Sequence, residues 1–345
     1  MKEKHTVIDL FCGCGGLSSG FSEADYDITL GIDNWKDAIS TFNYNHDKPV
    51  GIVADLFKET PKTISEKTGV LKADVIIGGP PCQGFSIAGK RVIDDERNHL
   101  YKSFVSFVKF YKPKVFLMEN VPNIISMGAG IVKDTIIKDF EKLGYKVVYK
   151  VLLASDYGVP QNRRRAFFVG TKSNDEFIFP KPTFQKHIVS HEAISDLPEG
   201  SLVDGTKYSL KPKSDYQKFI RNGSKGIHNH EITNHKEQTV EIIAMVPDGG
   251  NYKSLPKELH ETRKVNIAWT RLNSLKPSFT IDTGHRHHFH YKFNRVPTVR
   301  ESARIQSFQD EFIFQCSKTS QYKQVGNAVP PVLAKVLAES IKSYL

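Results

Sequence analysis

The chain is organised around Asp74-Val75-Ile76-Ile77-Gly78-Gly79-Pro80-Pro81-Cys82-Gln83-Gly84-Phe85-Ser86. Asp74 to Ile77 is a continuous, largely β-branched run, as expected of a parallel strand buried on both faces. A cysteine just beyond such a strand lies at the carboxyl edge of the sheet, where open α/β sheets bind their ligands. Two prolines remove backbone freedom and backbone donors, so the sulfur of Cys82 is held in one place. The glycines on either side let a substrate come close to the backbone. Taken alone, such a cysteine is more often an inert residue buried in a tight turn. What accompanies it along the chain decides between the two.

Toward the N-terminus, Thr6 to Phe11 reads as a first buried strand, and Cys12-Gly13-Cys14-Gly15-Gly16 makes a glycine-rich turn into the helical stretch Leu17 to Ala24. The G-x-G-x-x-G spacing and a Walker lysine are both absent, so neither a dinucleotide nor a triphosphate is the natural ligand; a plain tight turn is the alternative. A second strand, Ile28 to Asp33, ends on an acid before a helix from Trp35 to Asn45, and Gly51 to Asp55 repeats the pattern. Carboxylates at such strand ends accept hydrogen bonds from ribose hydroxyls or an adenine amino group and repel phosphate. A nucleoside-type cofactor follows.

Toward the C-terminus, the polar stretch Ile87 to Asn98 reads as a mobile loop suited to enclosing a substrate. A helix from His99 to Tyr111 and a strand from Lys114 to Met118 deliver Glu119-Asn120-Val121 to the same edge as Cys82. Glu119 is there either a carboxyl with a raised pKa or a solvated acid. A helix over Ile131 to Leu143 and a strand over Tyr145 to Leu152 follow. Gly158-Val159-Pro160-Gln161-Asn162-Arg163-Arg164-Arg165 then enters the strand Ala166 to Gly170, and alternation turns Arg163 and Arg165 to one side. From Pro180 the pattern dissolves into Pro, Gly, Lys and His, which marks a domain boundary. Order returns at Thr298 to Phe308, opening on a Thr298/Glu301 capping box. Gln324 to Pro331 leads into a final apolar helix, Val332 to Tyr344.

Length allows one large domain plus a smaller one. A hydrophobic content of 39% and a mean hydropathy of -0.37 describe a soluble globular protein. No apolar run is long enough to span a membrane, and Met1-Lys2-Glu3-Lys4-His5 leads directly into a strand, so a cytoplasmic location is expected. Cys12, Cys14, Cys82 and Cys316 have no C-x-x-C spacing, which suggests neither a disulfide framework nor structural zinc. The net charge of +10 is consistent with a polyanionic partner. Residues 181–295 hold 18 Lys and Arg against 12 Asp and Glu, and ten of the thirteen histidines, with little periodicity, so they read as a binding surface rather than a core. His285-Arg286-His287-His288-Phe289-His290 lacks an accompanying carboxylate or cysteine set, so no metal is assigned to it.

With these pieces in place, the chain resembles the DNA (cytosine-5) methyltransferases of bacteria along nearly its whole length. DLFCGCGGLSSGF resembles the family's cofactor loop, GGPPCQGFS its nucleophile loop, ENV its acid motif and QNRRR its base-binding motif. RVPTVRESARIQSFQD resembles the motif supporting the recognition domain, and QVGNAVPPVLA the closing cofactor motif. Six such motifs in family order are specific where any one is modest. The variable recognition region falls in the basic, histidine-rich segment.

The resemblance implies an α/β fold: a doubly wound, mostly parallel sheet of the S-adenosylmethionine-dependent methyltransferase type with a smaller target-recognition domain. Residues 1–180 form the catalytic domain, 181–318 the recognition domain, and 319–345 a segment returning to the catalytic domain. S-adenosylmethionine is the implied cofactor, with Phe11 against the adenine, Gly13 and Gly15 near the methionine part, Asp33 on the ribose and Asp55 on the adenine. Asn34, Leu56, Pro81, Leu100, Asn327 and Ala328 complete that set. Where some members have an aromatic after the ribose acid, this chain has Asn34 and then Trp35. Cys82 is the implied nucleophile at cytosine C6, Glu119 the group on N3 and the amine, Arg165 that on O2, and Arg163 an ordering residue. Double-stranded DNA is the implied partner, its target base flipped out. Gln83 and Ser86 are taken as DNA contacts, with Arg271 and Arg286 as candidates for base edges because arginine pairs bidentately with guanine. A restriction endonuclease acting on the same site without a stable complex, and a monomeric state, are further expectations. A tRNA cytosine methyltransferase would lack so large a variable region, and an inactive relative would not keep Cys82, Glu119 and Arg165 together.

Overall fold

The computed structural model describes residues 4–46, 48, 50–81, 99–262, 269–284 and 288–345. The chain divides into two compact units. The first comprises Met1–Leu153, Arg164–Pro182 and Leu333–Leu345, and the second Ala154–Arg163 and Thr183–Val332. Gln83, Ser86, Arg286, the expected loop Ile87 to Asn98 and Cys82 itself lie outside the described residues.

The first unit is built on β1 (Thr6–Leu10), α1 (Gly16–Glu23), β2 (Asp27–Asp33), α2 (Lys36–Tyr44), β3 (Gly51–Val53), α3 (Pro61–Thr68), β4 (Val75–Gly78), α4 (His99–Tyr111), β5 (Val115–Asn120), α5 (Ile131–Glu141), β6 (Lys146–Leu153) and β7 (Arg164–Thr171). The seven strands form one sheet in the order β3-β2-β1-β4-β5-β7-β6. All pairs are parallel except those of β7, which is antiparallel to both neighbours. This is the mixed α/β sheet that the sequence predicted. β1, β4 and β5 are apolar almost throughout because helices cover both faces, leaving no solvated side for polar residues to alternate onto. The core beneath includes Phe104, Phe107, Phe116 and Phe140, with Phe116 and Phe140 stacked at 4.0 Å between ring centroids.

Strand order reverses between β1 and β4, so the carboxyl ends of these two neighbours form the switch point of the sheet. The glycine turn after β1 and the proline turn after β4 therefore emerge side by side. Gly78 is required at that point: a Cβ there would lie 2.1 Å from the Leu10 carbonyl oxygen.

The second unit carries short elements: α6 (Ser190–Ile194), α7 (Asp215–Ile220), α8 (Glu237–Ala244), the two-residue strands β8 (Thr270–Arg271) and β9 (His288–Phe289), then α9 (Val299–Ile305) and α10 (Lys318–Asn327). The predicted capping box opens α9: Thr298 Oγ1 accepts from the Glu301 N–H at 3.1 Å, and Glu301 Oε2 from the Thr298 N–H at 2.7 Å. Every residue of α9 is buried. The last helix, α11 (Pro331–Ile341), packs from Leu333 onward in the first unit, where the Tyr26 hydroxyl donates to the Ala338 carbonyl at 2.8 Å.

Candidate active site

The glycine turn begins with Phe11 in a left-handed conformation (φ 57°), rare for a side chain that is not glycine. Gly13 follows at φ 54°, and a Cβ on it would meet nothing within 4 Å, so its Cα faces open space. Its N–H donates to Asp33 Oδ2 at 2.9 Å, while Asp33 Oδ1 accepts from the Trp35 N–H at 2.8 Å. The acid at the end of β2 thus braces the turn after β1. Gly15 (φ 98°) caps α1 and packs close to Phe42 and His46. Asp55 is half-buried, with Oδ1 accepting from the Phe57 N–H at 3.0 Å and Lys58 Nζ 3.6 Å from Oδ2. Asn34 and Pro81 are exposed and Leu100 is half-buried. Leu56 packs in the core, its carbonyl accepting from the Ser103 hydroxyl.

Sequence reasoning missed Asp9, which lies under this turn. It is wholly buried on β1, accepts from Ser18 Oγ at 2.7 Å, and is pushed up to about 7 by burial, with the charge of Asp33 adding. Its signal was visible in the sequence: an acid in the middle of an otherwise apolar strand. Cys12 and Cys14 are buried close by, and burial pushes both thiols up. Neither is therefore suited to act as a nucleophile.

At the end of β5, Glu119 meets the start of the cysteine turn. Glu119 Oε1 pairs with Arg165 Nε at 2.8 Å, and Oε2 lies where a Cβ on Gly79 would be only 2.9 Å away. The next residue, Asn120, is 5% exposed and donates from Nδ2 to the Pro80 carbonyl at 2.9 Å. Glu119 and Asn120 belong to β5 itself, which runs two residues past the predicted end at Met118, and pair with Phe167 and Ala166 on β7. Arg165 comes within reach of Glu119 because β7 runs antiparallel beside β5. The ENV tripeptide thus supplies both an acid and the amide that holds Pro80, two residues before Cys82.

The matching family is described as C-5 cytosine-specific DNA methylase, and the match spans residues 5–343. The chain belongs to this family. Among curated relatives, the type II methyltransferase M.DdeI of Desulfomicrobium norvegicum is 40% identical, with 98% of this chain and 88% of that protein covered. The type II methyltransferase M1.HphI of Haemophilus parahaemolyticus is 39% identical, with 97% and 86% covered. Among solved structures, a candidate DNA modification methyltransferase encoded within an E. coli prophage superposes with a TM-score of 0.80 at 27% identity, covering 99% of both chains. The S. pombe Dnmt2 methyltransferase shares the fold at a TM-score of 0.62 and 17% identity.

The remaining predicted residues of this cytosine-5 DNA methyltransferase lie in the second unit. Strand β7 begins at Arg164, one residue after Arg163. Arg163 is 1% exposed and donates to the Ile281 carbonyl at 3.3 Å and the Gly326 carbonyl at 2.8 Å. Asn327 is exposed and Ala328 half-buried at the end of α10.

Arg271, expected at a base edge, is corrected by the structure. It is 5% exposed, and its guanidinium donates to the carbonyls of Val246, His290, Phe293 and Ile243 and to Asn294 Oδ1. Those five bonds use every N–H it has, leaving none for a guanine. No helix among the described residues is long and apolar enough to cross a membrane, and no group of three or more His, Cys, Asp or Glu among them is arranged to hold a metal.

Proposed function

We propose that this enzyme methylates C5 of a flipped-out cytosine within a specific double-stranded DNA sequence, using S-adenosylmethionine and a transient covalent bond from Cys82 to C6. The observation that carries the reading is the Glu119–Arg165 pair set against Gly79, with Asn120 on Pro80, at the foot of the Cys82 turn. The open face of Gly13, with the carboxylates of Asp33 and Asp55 at successive strand ends, fits a nucleoside and disfavours a phosphate. Phe11, Gly13, Gly15, Asp33, Asn34, Asp55, Leu56, Pro81, Leu100, Asn327 and Ala328 would hold the cofactor.

C5 of cytosine is a weak nucleophile. Addition of the Cys82 thiolate to C6 moves the ring's electron pair onto C5 and divides one hard step into easier ones. Arg165 Nε, 2.8 Å from Glu119 Oε1, fixes the carboxyl where the base arrives. A protonated Glu119 would donate to N3 and accept from the exocyclic amine, offsetting the charge that develops as the thiolate adds, while Arg165 binds O2. Bound S-adenosylmethionine supplies an electrophilic methyl group to C5. A base then removes the C5 proton, and the returning electron pair expels Cys82 as thiolate.

In this reading residues 181–318 choose the sequence, while 1–180 with the returning segment 319–345 carry the chemistry. The relatives named as type II methyltransferases support a place in a restriction-modification system, with an endonuclease reading the same site without a stable complex. A cytoplasmic monomer suits that role.

Bisulfite sequencing of plasmid DNA treated with the protein and S-adenosylmethionine should reveal one methylated sequence. Cys82→Ala should abolish methylation while leaving DNA and cofactor binding largely intact, because the thiol acts only once the base is in place. Duplex DNA with 5-fluorocytosine at the target should trap a Cys82 adduct, since fluorine cannot leave as a cation. Turnover near wild type by Cys82→Ala, or no adduct by mass spectrometry, would overturn the covalent route.

A further inference from the structure

We propose that Gln306 is a positioning residue for the turn Gly326–Ala328, setting the geometry with which that turn meets the cofactor; this rests on the assignment of Asn327 and Ala328 to S-adenosylmethionine. Gln306 follows α9 and is fully buried. Its Oε1 accepts from Gln161 Nε2, and its Nε2 donates to the Ala328 carbonyl at 2.5 Å. Gln161, also fully buried, takes the Ile281 N–H on Oε1 at 2.9 Å. Arg163 donates to the carbonyls of Ile281 and Gly326. The partners close a ring from Gln306 through Gln161, Ile281 and Arg163 to Gly326, returning along the backbone to Ala328 and Gln306.

The ring explains two residue choices. A carboxamide gives position 306 both an acceptor for Gln161 and a donor for Ala328. Gly326 must lack a side chain, because a Cβ would lie 2.1 Å from the Asp282 carbonyl oxygen. The adjacent Ser307 accepts from the Val332 N–H at 3.2 Å, so the end of α9 holds both ends of Ala328–Val332. Pro330 and Pro331, within that span, have no N–H with which to anchor themselves. The motif around α9 therefore does more than support the recognition region: it fixes the peptide that presents Asn327.

The test uses the full-length protein carrying Gln306→Glu, Gln306→Met or Asn327→Ala, with each Gln306 change also combined with Asn327→Ala. Glutamate keeps the acceptor for Gln161 but sets a carboxylate against the Ala328 carbonyl; methionine keeps the volume and loses both bonds. Calorimetry should show S-adenosylmethionine binding weakened by about tenfold in both Gln306 variants, on the scale of one buried hydrogen bond. KM for the cofactor should rise in parallel, while KM for DNA and kcat at saturating cofactor stay within about threefold. If Gln306 acts through the turn, adding Asn327→Ala should cost less than the product of the single effects. Unchanged cofactor affinity, or cofactor affinity, DNA affinity and kcat falling together with the urea midpoint, would overturn the inference. Fully multiplicative effects would do the same. Failure of the wild-type protein to bind S-adenosylmethionine would sink the cofactor reading itself, which separates the two.

Discussion

The two units are stable for different reasons. In the first, a sheet covered on both faces buries aliphatic and aromatic side chains, and ionic groups at its centre are few, Asp9 being the clearest. In the second, the most deeply buried helix carries charge: Arg300, Glu301 and Arg304 of α9 are all at 0% exposure. Arg304 donates to both oxygens of Asp310, at 2.9 and 2.6 Å, and to Asp196 at 2.5 Å. Arg295 makes two 2.8 Å bonds to Glu301. Buried ion pairs of this kind contribute little net stability over an apolar core, but breaking one leaves an uncompensated charge, so they punish departure from one arrangement. A region with few long helices or strands gains its definition from such directional bonds. Apolar contacts alone would leave it several packings.

The contrast is open to measurement because each unit holds one of the chain's two tryptophans, Trp35 in the first and Trp269 in the second. Trp269→Phe leaves a reporter on the first unit and Trp35→Phe one on the second. In the latter background, Arg304→Ala takes three charged hydrogen bonds from Asp310 and Asp196, leaving Asp310 with Tyr208 and Arg300 and Asp196 with Arg221, and should cost the second unit about 3 kcal/mol by urea unfolding. Arg304→Met, which fills the space but not the charges, should do no better. If Met restored most of the stability, the second unit would be an ordinary apolar core, and the contrast would fail.

Arg271→Ala sharpens the same point with a smaller effect. Its five bonds, four to backbone carbonyls, tie α8 and the segment after β9 together, so removing it should cost about 1.5–3 kcal/mol. Methylation of a randomised duplex library should keep its preferred sequence. A redirected preference with unchanged stability would return Arg271 to the base-reading role that its charge first suggested.

That arginine shows why the second unit was harder to read in sequence. β-branched runs and glycine turns announced the first unit, since apolar periodicity maps directly onto burial there. The positions of Asp33, Glu119 and the Gly79–Pro81 stretch were legible for the same reason: strand ends fix where they emerge. Buried arginines carry no comparable signal, because Arg271 and Arg295 contribute to a basic composition just as solvated arginines would. The Thr298/Glu301 capping box was the exception, being a local bonding rule rather than a packing one. Asn120 and Gln306 were missed because their partners, Pro80 and Gln161, are 40 and 145 residues away.

The smallest effect expected is a difference in pH response between the units. Asp9, pushed up to about 7 chiefly by burial, is favoured in its neutral form when folded. Its contribution is fully present below the ordinary value of 3.8 and is lost as pH rises toward 7. His290 has the opposite sign. Burial, helped by Arg295 and Arg271 against Glu301, holds it down to about 4 from 6.5, so its contribution is present above 6.5 and lost as pH falls toward 4. Glu301 adds to this only as pH falls below 4.5: burial opposes its ionisation, but Arg295, His290 and His230 outweigh it and hold the carboxyl below its ordinary range. Between pH 4.5 and 7 the first unit should therefore weaken as pH rises and the second strengthen, each by about 1–2 kcal/mol. Asp9→Asn should remove the slope reported by Trp35. His290→Asn can still accept the Lys292 and Phe293 N–H groups that Nδ1 takes at 3.0 and 3.1 Å, and should flatten the slope reported by Trp269. Urea unfolding of the two single-tryptophan proteins across that range tests both signs. Parallel slopes, or a slope at Trp35 that survives Asp9→Asn, would show that the buried acid and the buried histidine do not set the units' separate responses.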